Sequence, residues 1–470
     1  MTSTSSHRAI VIALLTIAAT TAPAPAQQVA PIDTAQIDSI IRRHIADKKI
    51  IGVSVGIMQN GKRVFARGYG VADVASTRTV TPRTMFAIGS VTKQFTCTAL
   101  LMLEEHGHLS LSDPVAKYFP QLTRANDITL LDLGGHLSGY RDYYPLDYVD
   151  REMLQPASAD TIIMRYATRP LDFEPRSRYS YSNTGFLILG RVVEKVSGEP
   201  FGSFLSAHVF TPLHLMRTAY EPSPHTEDMA MGYTSFALSP PVPAEAEAAG
   251  WAGAAGAIWS TPTDLLAWDL SLLDHTLITP QSYQTLVTPQ RLSDGRTSGY
   301  GCGEAINDRG AALTFTHGGA VSGYVAQNTI IPATRSALAI LSNSDFSPIG
   351  GLNQELLAKL LPTGVDVPVV KGLNAFDAAA KFLSDLEKGK VDRSTLSPDF
   401  DAYLTPARLA DAKKSLNALG RIANVRIAGL RERGGLEVAI VRFTVGTTEA
   451  QGLMYRDPDG KIEEFLFSRI

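Results

Sequence analysis

Met85-Phe86-Ala87-Ile88-Gly89-Ser90-Val91-Thr92-Lys93-Gln94-Phe95 is the stretch on which the reading of this chain turns. It holds Ser-x-x-Lys, and an apolar run continues through Ala99, Leu100, Leu101, Met102 and Leu103 towards Gly107. That pattern predicts an amphipathic helix of about four turns, stopped by Gly107. Ser90 stands at the expected N-cap, at the positive end of the helix dipole. Lys93 lies three residues on, one turn away on the same face. A serine hydroxyl is a weak nucleophile and needs a base beside it. Lysine can be that base only if its pKa falls from about 10.4, which burial and a neighbouring cation or hydrogen bond can bring about. Ser90 and Lys93 are therefore candidate catalytic residues.

Working outward, Thr34 to Lys49 carries Ile37, Ile40, Ile41 and Ile45 at helical spacing. Two β-rich runs, Ile51–Met58 and Arg63–Gly70, flank Asn60-Gly61 and predict a hairpin. From about 108 to 250 the chain reads as helices and loops. Gly185 to Val196 is an apolar helix closed by Ser197-Gly198, and 221–249, rich in Pro, Ala and Glu, reads as a surface loop. Thr261-Pro262-Thr263-Asp264 opens a further helix with a cap and a first-turn proline. Strand character returns at Ala312–His317, Gly323–Ile331 and Ser336–Leu341. This order predicts an α/β domain, an antiparallel sheet flanked by helices, with an inserted helical lobe. Pro362 to Pro368 reads as a linker. Beyond it, two helical patterns and four β-rich runs at 424–430, 436–444, 450–456 and 461–468 predict a small α+β domain over 371–470. That domain has no catalytic spacing and reads as an accessory.

The chain has 470 residues, 44% hydrophobic and 19% charged, enough for a large core and more than one domain. A net charge of −3 and no long basic run give no basis for a nucleic-acid partner. Residues 1–26 read as a signal peptide. His7 and Arg8 precede the apolar run Ala9–Ala18, and Ala24-Pro25-Ala26 fits a cleavage site. The run is too short to span a membrane. A periplasmic or secreted bacterial protein is expected, with no membrane span after cleavage. The two cysteines, Cys97 and Cys302, are expected as unpaired buried thiols. There is no Walker A loop and no His-Glu-x-x-His helix, and neither a metal nor an organic cofactor is expected.

Two more motifs follow in order: Tyr181-Ser182-Asn183, and His317-Gly318-Gly319-Ala320 at a strand end. Ser-x-x-Lys, Tyr-x-Asn and His-x-Gly together resemble the serine hydrolases related to class C beta-lactamases, D-alanyl-D-alanine carboxypeptidases and esterases. The resemblance takes in Phe173-Glu174-Pro175, Gly198-Glu199-Pro200-Phe201, Ser260–Leu265 and Gly299-Tyr300-Gly301-Cys302-Gly303, and spans about residues 35–361. It implies a beta-lactamase-like hydrolase domain over 27–361, a linker over 362–370 and the accessory domain over 371–470. It implies an acyl-serine intermediate on Ser90, with Lys93 and Tyr181 moving the proton; which of them is the base stays open. Asn183, His317, Gly318 and Gly319 are the implied substrate-binding residues. The backbone N–H groups of Ser90 and Ala320 are the implied oxyanion hole. His136, in His-Leu-Ser-Gly, reads as structural.

The implied substrate is a small molecule or peptide with an ester or amide bond: a D-amino-acid peptide related to peptidoglycan, a beta-lactam or an ester. The expected assembly is a monomer. A slowly deacylating penicillin-binding protein or cell-wall sensor is the alternative. His317 stands where beta-lactamases of this class usually carry lysine, which weakens the case for a substrate carboxylate. Arg176 and Gly134-Gly135 also depart from the family pattern, and an unusual cleft rim is expected from them.

Overall fold

The computed structural model describes residues 31–146, 148–223, 225–237, 239–308, 312–361 and 368–469. The expected signal peptide at 1–26, and 362–367 of the expected linker, lie outside these.

Asn60 and Gly61 both take positive φ (53° and 73°), the turn geometry that matches the twist of a two-residue hairpin. They join strands Gly52–Gln59 and Lys62–Asp73. The seven-stranded sheet runs in the order Arg78–Thr79, Lys62–Asp73, Gly52–Gln59, Ser336–Ser342, Tyr324–Ile331, Leu313–Val321 and Ala305–Asp308. Every pairing is antiparallel. Gly52–Gln59 and Ser336–Ser342 are buried at every residue because helices cover both faces. Thr34–Lys48 and Ile349–Leu360 pack on one side through Ile37, Ile41, Leu352 and Leu356. Pro262–Leu273 covers the other, capped as expected by the Thr261 hydroxyl, which accepts from the Asp264 N–H.

Between the hairpin and the later strands lies the helical lobe, with Thr92–Glu105, Ala159–Ala167 and Asn183–Ser197. Thr92–Glu105 is the central element. The sequence predicts one apolar face for it; instead Thr92, Lys93, Gln94, Thr96 and Thr98 are buried with the leucines, since neighbours surround the helix. Ser90 is not its N-cap. It sits in a 3-10 turn, Gly89–Val91, that precedes the helix, and among the described residues no side chain caps either element. The hydroxyl is engaged by Lys93 instead.

The expectation of two unpaired thiols also fails. Cys97 and Cys302 form a disulfide, their Cα atoms 5.8 Å apart. The loop carrying Cys302 presses on the central helix: a Cβ on Gly303 would lie 2.5 Å from the Lys93 carbonyl. A Cβ on Gly134 would lie 2.5 Å from Cys302 Sγ, so this glycine makes room for the bridge. Gly135 packs against Gln290, and Arg176 pairs with Asp132 at 2.5 Å. None of these three residues lines the cleft described below, so they do not shape its rim.

Residues 374–469 form a four-stranded meander, Ile422–Arg433, Leu436–Val445, Thr448–Arg456 and Ile462–Arg469, with helices Ala375–Lys388 and Pro406–Leu419. A short helix, Pro398–Tyr403, is one the sequence reading lacks. The unit has its own core, including Phe382, Phe400, Phe443, Met454 and Phe465. Arg456, 1% exposed, is neutralised by Glu437 at 2.7 and 2.5 Å. Among the described residues no helix is long and apolar enough to cross a membrane, and no group of three or more His, Cys, Asp or Glu is arranged to hold a metal ion.

Candidate active site

Ser90 is placed by two glycines. Gly89 takes φ +50°, and a Cβ on it would lie 2.7 Å from the Ala320 nitrogen. A Cβ on Gly319 would collide with the Ile88 carbonyl and lie 3.2 Å from the Ser90 nitrogen. Only glycine allows the turn and strand Leu313–Val321 to approach so closely. The approach brings the N–H groups of Ser90 and Ala320 together, as an oxyanion hole requires.

Lys93 is fully buried and donates to Ser90 Oγ (3.0 Å), Asn183 Oδ1 (2.8 Å) and the Ala255 carbonyl (2.8 Å). Burial lowers its pKa to about 7, with the Asp142 carboxylate pulling the other way. Tyr181 also hydrogen-bonds to Ser90, and its ring lies 4.9 Å from the Lys93 ammonium. Burial raises the phenol well above its ordinary pKa, more than the bond to Ser90 lowers it. The lysine therefore titrates near neutrality while the tyrosine keeps its proton. Lys93 can accept the serine proton, and Tyr181 can hand one on.

Asn183 is the first residue of helix Asn183–Ser197. Its backbone N–H and side-chain Nδ2 donate to the two oxygens of Asp142 at 3.0 and 3.3 Å, which turns its own Oδ1 to Lys93. His317 lies beneath this layer, 5% exposed. Its Nε2 faces the Tyr300 hydroxyl at 2.7 Å and its Nδ1 the Gly318 carbonyl at 2.6 Å. Burial, and then the Lys93 charge, lower its pKa to about 3. His317 is thus neutral, with both nitrogens engaged inside the protein, whereas Gly318, Gly319 and Ala320 line the cleft. His136 is also buried, its ring 4.2 Å from that of Tyr181.

The cleft is about 1140 Å³ and runs from Ser90 and Tyr181 past Asp142 and Glu245 to Asp345. Beside Ser90 it opens into a recess of about 40 Å³ lined by Tyr143, Tyr144, Glu247, Gly256 and Val321. Glu247 Oε1 accepts from the Tyr144 hydroxyl (2.7 Å) and the Ser322 N–H (3.1 Å), so the carboxylate is held at the strand turn after Ala320. Among the described residues, four acids line these two spaces, Asp142, Glu245, Glu247 and Asp345, and no lysine, arginine or histidine does.

The sequence reading missed Asp142, Glu247, Tyr300 and the disulfide. Asp142 follows His-Leu-Ser-Gly closely enough to be suspected. Glu247 carries no signal at all, lying within the stretch that reads as a surface loop.

Comparison with known proteins bears on the family and the fold. The family model named Beta-lactamase matches residues 37–361. The D-aminopeptidase of Brucella canis is 27% identical over 349 residues, 73% of this chain and 65% of that protein. The chain thus spans a little under two thirds of such relatives. The crystal structure of D-amino acid amidase from Ochrobactrum anthropi SV3, complexed with L-phenylalanine amide, superposes with a TM-score of 0.60 at 25% identity, covering 70% of this chain and 97% of that one. An octameric penicillin-binding protein homologue from Pyrococcus abyssi, 22% identical, has a TM-score of 0.60 and covers 93% of this chain and 100% of its own, a likeness of fold.

Proposed function

The chain belongs to the beta-lactamase family, and on that premise we propose that it is an exported serine amidase. It releases an N-terminal amino acid, of D configuration, from an amide or short peptide. The observation that carries this reading is the acidic cleft: among the described residues four carboxylates line it and no lysine, arginine or histidine does, the one neighbouring cation, Lys93, being fully buried and bonded to Ser90. Such a cleft repels a substrate carboxylate and attracts a free ammonium. Glu247 beside Ser90 is the residue that binds the ammonium, through a charge-assisted hydrogen bond. The relatives named D-aminopeptidase and D-amino acid amidase support the D configuration. The signal-like residues 1–26 and a buried disulfide support export to an oxidising compartment.

The reaction runs through an acyl-serine. Neutral Lys93 takes the proton of Ser90 as Oγ attacks the amide carbon. The Ser90 and Ala320 N–H groups bind the oxygen that gains negative charge. The tetrahedral adduct collapses, the C–N bond breaks, and the leaving nitrogen takes a proton through the Tyr181 hydroxyl. Water then attacks the aminoacyl ester, with Lys93 and Tyr181 in the reverse roles. The recess of about 40 Å³ holds the acyl side chain, and the wider cleft holds the leaving group.

The test is a set of D-alanine p-nitroanilides with free or acetylated amine, beside a chromogenic cephalosporin. The free amine should be cleaved faster than its acetylated form by about 10–100-fold, the worth of a charged hydrogen bond of ~1.5–3 kcal/mol. Glu247→Gln should erase the preference. Equal rates on free and acetylated amides, or efficient turnover of the cephalosporin alone, would refute the reading.

A further inference from the structure

His136 is the feature that the site does not explain. It follows the helix Leu130–Gly134 and its C-cap Gly135, and takes φ +60°. That is a conformation glycine adopts freely and other residues rarely, with histidine, asparagine and aspartate the tolerated minority. Histidine, not glycine, occupies this left-handed position.

Its contacts say what for. The His136 carbonyl accepts from the Ser180 N–H at 3.1 Å, and its ring Nδ1 accepts from the Ser182 N–H at 3.1 Å. The two bonds pin the residues on either side of Tyr181. The ring packs 4.2 Å from the Tyr181 ring and 5.2 Å from Phe186. An accepting Nδ1 fixes the tautomer with the proton on Nε2, and that buried nitrogen has no hydrogen-bond partner among the described residues. Leaving such a donor unpaired and holding a positive φ are both costly, the kind of local strain that gathers at functional sites. A charged ring would lose the Ser182 bond, so the contact needs the neutral form. Burial, reinforced by Lys93, keeps it neutral.

We infer that His136 is a positioning residue: through Ser180 and Ser182 it aims the Tyr181 hydroxyl at Ser90. It touches no reacting atom. The inference rests on the reading of Tyr181 as the proton relay.

The test is a double-mutant cycle on the p-nitroanilide that the enzyme cleaves. His136→Leu keeps the bulk and loses the acceptor. His136→Asn keeps an acceptor near the Nδ1 position and tolerates positive φ. In the wild-type background His136→Leu should lower kcat by about 10²-fold, the cost of a misplaced catalytic group, with KM little changed. His136→Asn should restore most of it. In a Tyr181→Phe background His136→Leu should have almost no further effect, because the hydroxyl it aims is gone. Additive losses in the cycle, or a loss confined to KM, would overturn the inference. If His136→Leu does not fold, His136→Gln enters the same cycle with the same two outcomes. A wild type that forms no Ser90 adduct refutes the proposed function, and this inference with it. A wild type that acylates but gives an additive cycle refutes this inference alone.

Discussion

Replacing Asp142 by asparagine should move the acid limb of kcat/KM to lower pH. The limb is assigned to Lys93, which burial brings to about 7. One charge opposes that burial, the Asp142 carboxylate, which reaches the lysine through the Asn183 side chain. The path of 2.8 Å and 3.3 Å bonds with one amide between them implies a separation of roughly 7 Å, and at an effective dielectric of about 20 the attraction is then ~2.4 kcal/mol, or ~1.7 pKa units. Solvent at the cleft side of Asp142 reduces this, so a shift of about one unit is expected. The sign is fixed. Removing a negative neighbour favours the neutral amine, so Lys93 loses its proton more readily and the limb falls. The substituted amide can still accept from the Asn183 N–H, which Asp142 Oδ1 does at 3.0 Å. It faces the Asn183 Nδ2 with a donor, at a cost of about 1 kcal/mol. The assay is kcat/KM against pH on the free-amine p-nitroanilide, both proteins at fixed ionic strength. A limb that stays put or rises would mean that the group titrating near neutrality is not Lys93.

Gly319→Ala should lower kcat by about 10²–10³-fold, since its Cβ collides with the Ile88 carbonyl and displaces the Ala320 donor; the protein should remain folded by circular dichroism. Replacing both Cys97 and Cys302 by serine removes a bridge between residues 205 apart, worth about 5 kcal/mol in the chain-entropy model, and should lower Tm by several degrees or more. A Tm equal to that of the wild type would contradict the bridge. Asp269 and Glu304 are both fully buried and raised well above 3.8 and 4.5, by burial and, for Glu304, by Asp269 beside it. A raised folded-state pKa means stability that is present below the ordinary carboxylate pKa and is lost as pH climbs above it. Each carboxyl should therefore make unfolding about tenfold more favourable per pH unit until its folded-state pKa is reached. Glu304→Gln should remove one such proton from the slope of stability against pH. An unchanged slope would mean that Glu304 is not held protonated.

Much of this was legible in the sequence because it depends on local pattern. The Asn60-Gly61 turn, the Thr261 cap and the four strands of residues 422–469 follow from turn chemistry and periodicity. Ser90 and Lys93 are marked by their spacing at a helix start, Tyr181 and Asn183 only by the family resemblance, and the four converge in the structure. What escaped depends on tertiary contact. Spacing cannot show that Cys302 crosses the face of the helix that carries Cys97. It cannot show that the Ser90 hydroxyl turns to Lys93 rather than capping, or that His317 faces inward to Tyr300. Glu247 is the plainest case. Its meaning comes wholly from where a loop without periodicity crosses the cleft.

The most direct test of the acyl-serine account is intact-protein mass, measured seconds after mixing with a D-alanine ester, with peptide mapping of the modified residue. The account predicts a D-alanyl adduct on Ser90 in the wild type, with none on the Ser90→Ala protein and no turnover by it. Hydrolysis that survives Ser90→Ala, or an adduct on another residue, would contradict it.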